Sequence, residues 1–80
     1  TADEGEPSEA SDPDGSITII DLSGGPAAAT ATTVGFADVD AEAARAAGVR
    51  LFPGKTPKED LEPEYIAVSP DGATAWIALQ

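Results

Sequence analysis

The hydrophobic and polar positions along this chain change character several times, and the clearest pattern is that of a β-strand. Residues 16–22 (SITIIDL) alternate, so that Ile17 and Ile19 lie on one face and the even-numbered residues on the other. β-Branched residues with a period of two favour a strand. Residues 23–26 (SGGP) predict that the strand ends in a turn. Residues 31–36 (ATTVGF) predict a second strand with weaker alternation.

The end of the chain predicts a β-hairpin. Residues 65–69 (YIAVS) and 73–80 (ATAWIALQ) are rich in strand-forming side chains, and Pro70-Asp71-Gly72 separates them. Proline presets φ for a turn, aspartate can bond its own backbone, and glycine supplies a positive φ. The second of these strands has apolar residues on both faces, so we expect the hairpin to lie between two layers.

Between these β-rich regions the period changes to that of a short helix. Asp40 is a suitable N-cap, Gly48 stands at the C′ position, and the residues between them are good helix formers, so a helix over 41–47 is predicted. The helix is almost entirely alanine, which is typical of a surface insertion. Its anchoring contacts are expected from the flanking apolar residues Val39, Val49, Leu51 and Phe52.

Two acidic segments are predicted to be loops. Residues 1–15 contain six carboxylates, no base and no large apolar residue. Residues 58–64 (KEDLEPE) follow a Pro- and Gly-containing loop at 53–57 and place Lys55 and Lys58 close to four more carboxylates. We therefore expect both segments to be polar and extended.

Composition argues against a self-sufficient core. Alanine accounts for 16 of the 33 residues in the 41% hydrophobic fraction, and Leu, Ile, Val and Phe together number 15 of 80. With a net charge of -11, this composition lies at the edge of the disordered range. The absence of cysteine excludes disulfides and thiolate metal sites. The absence of histidine excludes imidazole zinc sites and His-dependent triads.

The charge balance also limits the partners. Four basic residues against 15 acidic ones oppose nucleic-acid binding, because affinity for the phosphate backbone depends on Lys and Arg. Cations or basic partners are favoured instead. No apolar stretch approaches the 18 residues that a membrane span requires, and no signal peptide is expected within these residues.

Several segments resemble a known family. The sequence IAVSPDGATAWIAL resembles the first hairpin of a blade in YVTN-type β-propellers, and GSITIIDLSGG resembles the third strand of such a blade. Together with EGEP, DPDGSITIIDLSGG, AAGVRLF and DLEPEYIAVSPDG, they resemble the choice-of-anchor I domain family of secreted bacterial propellers. The resemblance spans nearly all 80 residues.

The resemblance implies a mainly β fold, with residues 1–80 forming a single partial propeller segment. After an acidic loop at 1–15 that includes the end of a strand b, residues 16–36 would form strands c and d of one blade. Residues 37–64 would form a helical insertion and an acidic loop, and residues 65–80 would form strands a and b of the next blade. The expected partners are the remaining blades of a parent propeller or other copies of the chain, because blades bury their faces against neighbours.

In an antiparallel meander, the two acidic loops emerge at the same end of the sheets, and the SPDG and SGGP turns emerge at the other. Converging carboxylates repel one another unless a cation or a base neutralises them, and hard oxygen ligands suit divalent cations. We therefore predict a Ca²⁺ site, with another divalent cation as the alternative. Its candidate ligands are Glu4, Glu6, Asp12, Asp14, Glu62 and Glu64.

Simpler interpretations remain open for several of these features. Residues 12–15 (DPDG) mimic the start of a calcium loop but lack its continuation, and turn chemistry is favoured over metal binding. Residues 62–64 are either a ligand pair or the extended entry to a strand. Arg45 and Arg50 are expected to pair with neighbouring acids, and Trp76 to pack between blades. Asp21 is predicted to cap its turn.

The resemblance further implies a secreted, periplasmic or cell-surface location and a parent protein with metal-dependent phosphoesterase activity of the alkaline-phosphatase or phytase type. No catalytic residue is assigned, and the 80-residue chain alone is expected to be inactive. The alternatives are a noncatalytic extracellular propeller that serves binding, adhesion or surface structure, and a linker with local hairpin structure.

Overall fold

The structure is a computed structural model that describes residues 1–80. Its fold is mainly β, with two antiparallel sheets and few helices. The first sheet has three strands in the order β1 (Ala2–Asp3), β2 (Ser16–Asp21) and β3 (Thr30–Gly35). The two strands predicted over 16–22 and 31–36 are therefore confirmed to within one residue at each end. The predicted loop over 1–15 begins with the short strand β1.

The second sheet is the predicted hairpin, formed by β4 (Pro63–Val68) and β5 (Ala75–Leu79). Its turn contains Gly72 with φ +70, the positive value expected from the sequence. β4 begins two residues earlier than predicted, because its first residue, Pro63, lies opposite Leu79 at the far end of β5.

Two short helices lie between the sheets in sequence. Helix α1 (Ala41–Ala46) begins at the predicted N-cap, where the Asp40 carboxylate accepts a hydrogen bond of 2.7 Å from the Ala43 N–H. Helix α2 (Pro57–Asp60) lies in a stretch that was expected to be loop. A capping box between Thr56 and Glu59 explains this helix, because the Glu59 carboxylate accepts hydrogen bonds from the N–H and the hydroxyl group of Thr56. The Glu59 N–H in turn donates to the Thr56 carbonyl oxygen at 3.1 Å. A single 3₁₀ turn at Pro26–Ala28 completes the elements.

An apolar cleft lies between the two sheets. Ile17 and Ile19 of β2 line one side of it, and Ile66 of β4 and Ile77 of β5 line the other. The cleft has a volume of about 460 Å³. At one end β1 lies against β4. The opposite face of the hairpin carries Tyr65 and Trp76, which are 73% and 59% exposed. Only one of the two layers expected around the hairpin therefore belongs to this chain.

The core is small, as the composition led us to expect. Four of 80 residues are buried, namely Gly15, Leu51, Leu61 and Pro63. The accessible surface of 5749 Å² exceeds the ~4,500 Å² expected for a folded monomer of this mass. The radius of gyration, 14.6 Å, likewise exceeds the ~12 Å of a compact domain of this length. No helix in the structure has the length and apolar character needed to span a membrane.

The residues that flank α1 differ in how far they anchor it. Leu51 is buried and Val39 is half-buried, as expected, but Val49 and Phe52 are exposed. The Arg50 guanidinium lies 5.2 Å from the centre of the Phe52 ring. Neither arginine forms a salt bridge, so the expected pairing of Arg45 and Arg50 with acids is absent.

Candidate functional site

The two acidic segments meet at one end of the structure. The Gly15 N–H donates a hydrogen bond of 2.9 Å to the Lys58 carbonyl oxygen. Gly15 is buried, and a Cβ atom there would overlap the Leu61 carbonyl oxygen and lie 2.9 Å from Cδ of Pro63. We refer to this contact between residues 1–15 and 58–64 as the acidic junction.

A second glycine folds the first acidic segment back on itself. Gly5 has φ +74, a value that L-residues rarely adopt. A Cβ at this position would lie 2.7 Å from the Pro13 carbonyl oxygen and 3.0 Å from the Gly15 nitrogen. The backbone of Gly5 therefore contacts the DPDG turn. The DPDG turn also contacts the segment that leads into β4.

Two lysines neutralise the aspartates of the DPDG turn. Lys55 forms a salt bridge with Asp12, and Lys58 Nζ lies 3.2 Å from both carboxylate oxygens of Asp14. Lys58 belongs to α2 and Lys55 precedes it by three residues, so the capping box that fixes α2 also positions both ammonium groups. The Asp60 carboxylate accepts a bond of 2.7 Å from the Phe52 N–H, which ties the end of α2 to the preceding loop.

Asp3 joins β1 to β2 through its side chain. Its carboxylate accepts hydrogen bonds from the hydroxyl groups of Thr18 at 2.7 Å, Thr1 at 2.8 Å and Ser16 at 3.1 Å. The bond from Thr18, followed by the bond from Thr1, lowers the pKa of Asp3 below its ordinary value. Sequence patterns did not indicate this role, because it depends on the pairing of β1 with β2.

The six candidate metal ligands differ in their contacts and in their exposure to solvent. Asp12 and Asp14 are engaged by lysines. Glu4 and Glu62 are half-buried, and Glu6 and Glu64 are exposed. The Glu62 carbonyl oxygen accepts a bond of 2.8 Å from the Gln80 N–H, so residues 62–64 enter β4 in extended form.

No three acidic side chains in the structure are grouped so that they could hold a metal ion. The six ligands stay a prediction. The predicted site did not include Lys55 and Lys58. Their proximity to carboxylates in the sequence was a signal that they could pair with acidic side chains.

Comparison with known proteins identifies a family. The sequence model of the choice-of-anchor I domain matches residues 1–80. Choice-of-anchor domains are associated with cell-surface or secreted proteins. No curated protein sequence and no solved structure matches the chain.

Proposed function

Because this chain belongs to the choice-of-anchor I domain family, we propose that it is a segment of a secreted β-propeller whose acidic loop face contributes to a divalent-cation site. In this proposal, β2 and β3 are strands c and d of one blade. Strands β4 and β5 are strands a and b of the next blade, and β1 is the end of the strand b that precedes β2.

The arrangement of the two sheets supports a propeller. Both sheets are antiparallel, and an apolar cleft lined by residues of both lies between them, which is consistent with neighbouring blades. Tyr65 and Trp76 leave the outer face of the hairpin apolar and uncovered. A blade would bury this face against the following blade, which would also account for the large accessible surface.

The acidic junction is the observation that carries the cation-binding part of the proposal. An antiparallel meander places both acidic loops at one end, and residues 1–15 and 58–64 meet there. Two lysines offset only two of the many carboxylates of these segments. Glu4, Glu6, Glu62 and Glu64 have no basic partner, and hard oxygen ligands of this kind suit Ca²⁺. Other repeats of the same propeller would supply the remaining ligands.

Calcium titration of the longer protein tests this proposal. Isothermal titration calorimetry of the Glu62→Gln and Glu64→Gln variants should show weaker Ca²⁺ binding than the parent protein. The Glu9→Gln variant is a matched control, because Glu9 is an exposed acid outside the candidate ligands, and its binding should equal that of the parent. Equal affinities in all four proteins would remove residues 62–64 from the site.

We further propose that the parent protein is a metal-dependent phosphoesterase, and this part rests on the family resemblance alone. Bound divalent cations would hold the substrate phosphate and supply the positive charge that the chain lacks. Calcium-dependent hydrolysis of a generic phosphoester that is lost in Glu62→Gln or Glu64→Gln without loss of fold would support the proposal. Calcium binding without hydrolysis would instead indicate a noncatalytic role in binding, adhesion or surface structure.

A further inference from the structure

Strand β3 forms one edge of the first sheet. It pairs with β2 on one side, and on its other side no backbone hydrogen bond joins residues 30–35 to another element. In the proposed blade β3 is strand d, the outermost strand, and strands a and b of that blade lie on the β1 side of β2. The free edge of β3 is therefore the outer edge of the blade in the longer protein as well.

The alternation of an antiparallel ladder identifies the backbone groups that point to this edge. Thr1 and Thr18 exchange two hydrogen bonds through backbone atoms, so the N–H and C=O groups of Thr18 point towards β1. Successive residues of a strand direct these groups to opposite sides, so those of Ile17 point towards its partner Val34 on β3. By the same alternation, three residues of β3 direct their N–H and C=O groups to the free edge, namely Ala31, Thr33 and Gly35.

Nothing in β3 prevents another strand from adding to this edge. Natural sheets usually protect an edge with charged side chains, proline or a bulge. β3 contains no charged residue and no proline, all its side chains are exposed, and its pairing with β2 is in continuous register. Residues 22–37 are the longest stretch of the chain without a charged residue. In a chain with a net charge of -11, this edge is therefore where two copies can approach with the least repulsion.

The edge is complementary to itself about a two-fold axis at Thr33. If two β3 strands pair antiparallel with Thr33 opposite its own copy, Ala31 lies opposite Gly35 of the second copy. Each of these pairs is of the type that exchanges two backbone hydrogen bonds, so every outward-pointing group of β3 is used. On the other face, Thr32 lies opposite Val34 of the second copy, which places two β-branched side chains in contact.

We propose that the free edge of β3 pairs antiparallel with β3 of a second copy of this chain, so that the two first sheets become one continuous sheet. Such an interface is isologous and closes at a dimer. The contact between two edge strands is small, so the dimer should be weak and reversible. The proposal goes beyond the proposed function and requires no cation. It rests on the proposed function only where it treats β3 as the outermost strand of the longer protein.

Sedimentation velocity of both the 80-residue chain and the longer protein tests the proposal. The buffer contains EDTA and about 0.15 M NaCl, which screens repulsion between exposed charges. We expect a concentration-dependent dimer of each protein. Thr33→Lys should raise the Kd by about tenfold or more, because it places two like charges directly opposite each other, and Thr33→Glu should do the same. An equimolar mixture of these two variants should dimerise about tenfold more tightly than either alone, because the mixed dimer pairs opposite charges.

Thr74→Lys is the matched control, because it makes the same change in charge at an exposed threonine of the hairpin, outside β3, and it should leave the Kd unchanged. Far-UV circular dichroism of every variant checks that the strands persist. A monomer at all concentrations, a dimer that Thr33→Lys does not weaken, or a mixture no tighter than its components would overturn the proposal. A dimer of the 80-residue chain beside a monomeric longer protein would also overturn it. Because EDTA removes divalent cations, these results are independent of the calcium titration that tests the proposed function.

Discussion

Lys58 Nζ lies 3.2 Å from both carboxylate oxygens of Asp14, a residue 44 positions earlier in the chain. Together with the pairing of Lys55 and Asp12, this contact fastens the first acidic segment to helix α2. Both lysine side chains are 42% exposed, so solvent and salt screen the two pairs. The contacts therefore position the acidic junction more than they stabilise the fold.

Replacing Lys58 by glutamine should loosen the first acidic segment with little effect on the hairpin. An exposed ion pair contributes less than about 1 kcal/mol, so the free energy of unfolding should fall by no more than that. Hydrogen exchange measured by mass spectrometry should show faster exchange over residues 1–15 and unchanged exchange in β4 and β5. Lys58→Arg keeps a bidentate partner and should behave as the parent chain does. Equal exchange over residues 1–15 in the glutamine and arginine variants would show that the pair does not hold the segment.

Gly15→Ala should damage the acidic junction directly. The added methyl group would overlap the Leu61 carbonyl oxygen, which is backbone and cannot rotate away. Overpacking of this kind costs about 1–3 kcal/mol, and it should appear as a lower urea midpoint. Gly35→Ala is the matched control, because a Cβ at Gly35 meets no atom within 4 Å and its φ is not in the left-handed region. Similar midpoints for the two variants would contradict the close approach at Gly15.

The hairpin turn should contribute a pH-dependent stability through Asp71. A hydrogen bond from the Ser69 hydroxyl, followed by the N–H of Ala73, lowers the pKa of Asp71 below its ordinary value of 3.8. A lowered pKa means that the carboxylate stabilises the turn above pH 3.8 and that this contribution is lost as the pH falls through the lower, folded-state pKa. In an NMR titration, Ser69→Ala should raise the pKa of Asp71.

Two controls belong to that titration. Ser69→Thr keeps the hydroxyl group and should leave the pKa of Asp71 low. Asp21, whose pKa is lowered by the Ser23 N–H at a distant turn, should titrate alike in all variants. If Asp71 titrates unchanged in Ser69→Ala, the hydroxyl group is not the cause of its lowered pKa.

Trp76 should report on the uncovered face of the hairpin. Its side chain is 59% exposed, so dilute samples of the 80-residue chain should emit at the long wavelength of a solvated indole and be quenched readily by acrylamide. In a longer polypeptide that supplies a following blade, the emission should shift to shorter wavelength and the quenching should decrease. An unchanged spectrum in the longer polypeptide would mean that no neighbouring sheet covers this face.

Most of the elements could be predicted from the sequence because their signals are local. The alternation in residues 16–22, the Pro70-Asp71-Gly72 turn and the Asp40 cap each act within a few residues, and the structure has each of them where it was expected. The cap at Asp21 is confirmed in the same way, since its carboxylate accepts a bond of 2.8 Å from the Ser23 N–H. The contact between the two acidic segments could be predicted because successive strands of an antiparallel meander reverse direction, which places both loops at the same end.

The features that were missed depend on contacts between distant residues or on weak local signals. Helix α2 is only four residues long, and its capping box was obscured by the surrounding acidic loop composition. The pairing of Lys55 and Lys58 with the DPDG turn requires the long-range fold, as does the hydrogen bonding of Asp3. Arg45 and Arg50 were assigned acidic partners from charge balance, but neither forms a salt bridge.

The contact between Gly15 and Pro63 tests the central claim, that two incomplete sheets are joined where their acidic loops converge. Nuclear Overhauser effects between the Gly15 backbone protons and the Pro63 Hδ protons can be sought in the spectrum of the 80-residue chain. We predict that they are present, alongside the cross-strand effects between Ile17 and Val34 that establish the first sheet. A spectrum with the Ile17–Val34 effects but none between Gly15 and Pro63 would contradict the claim.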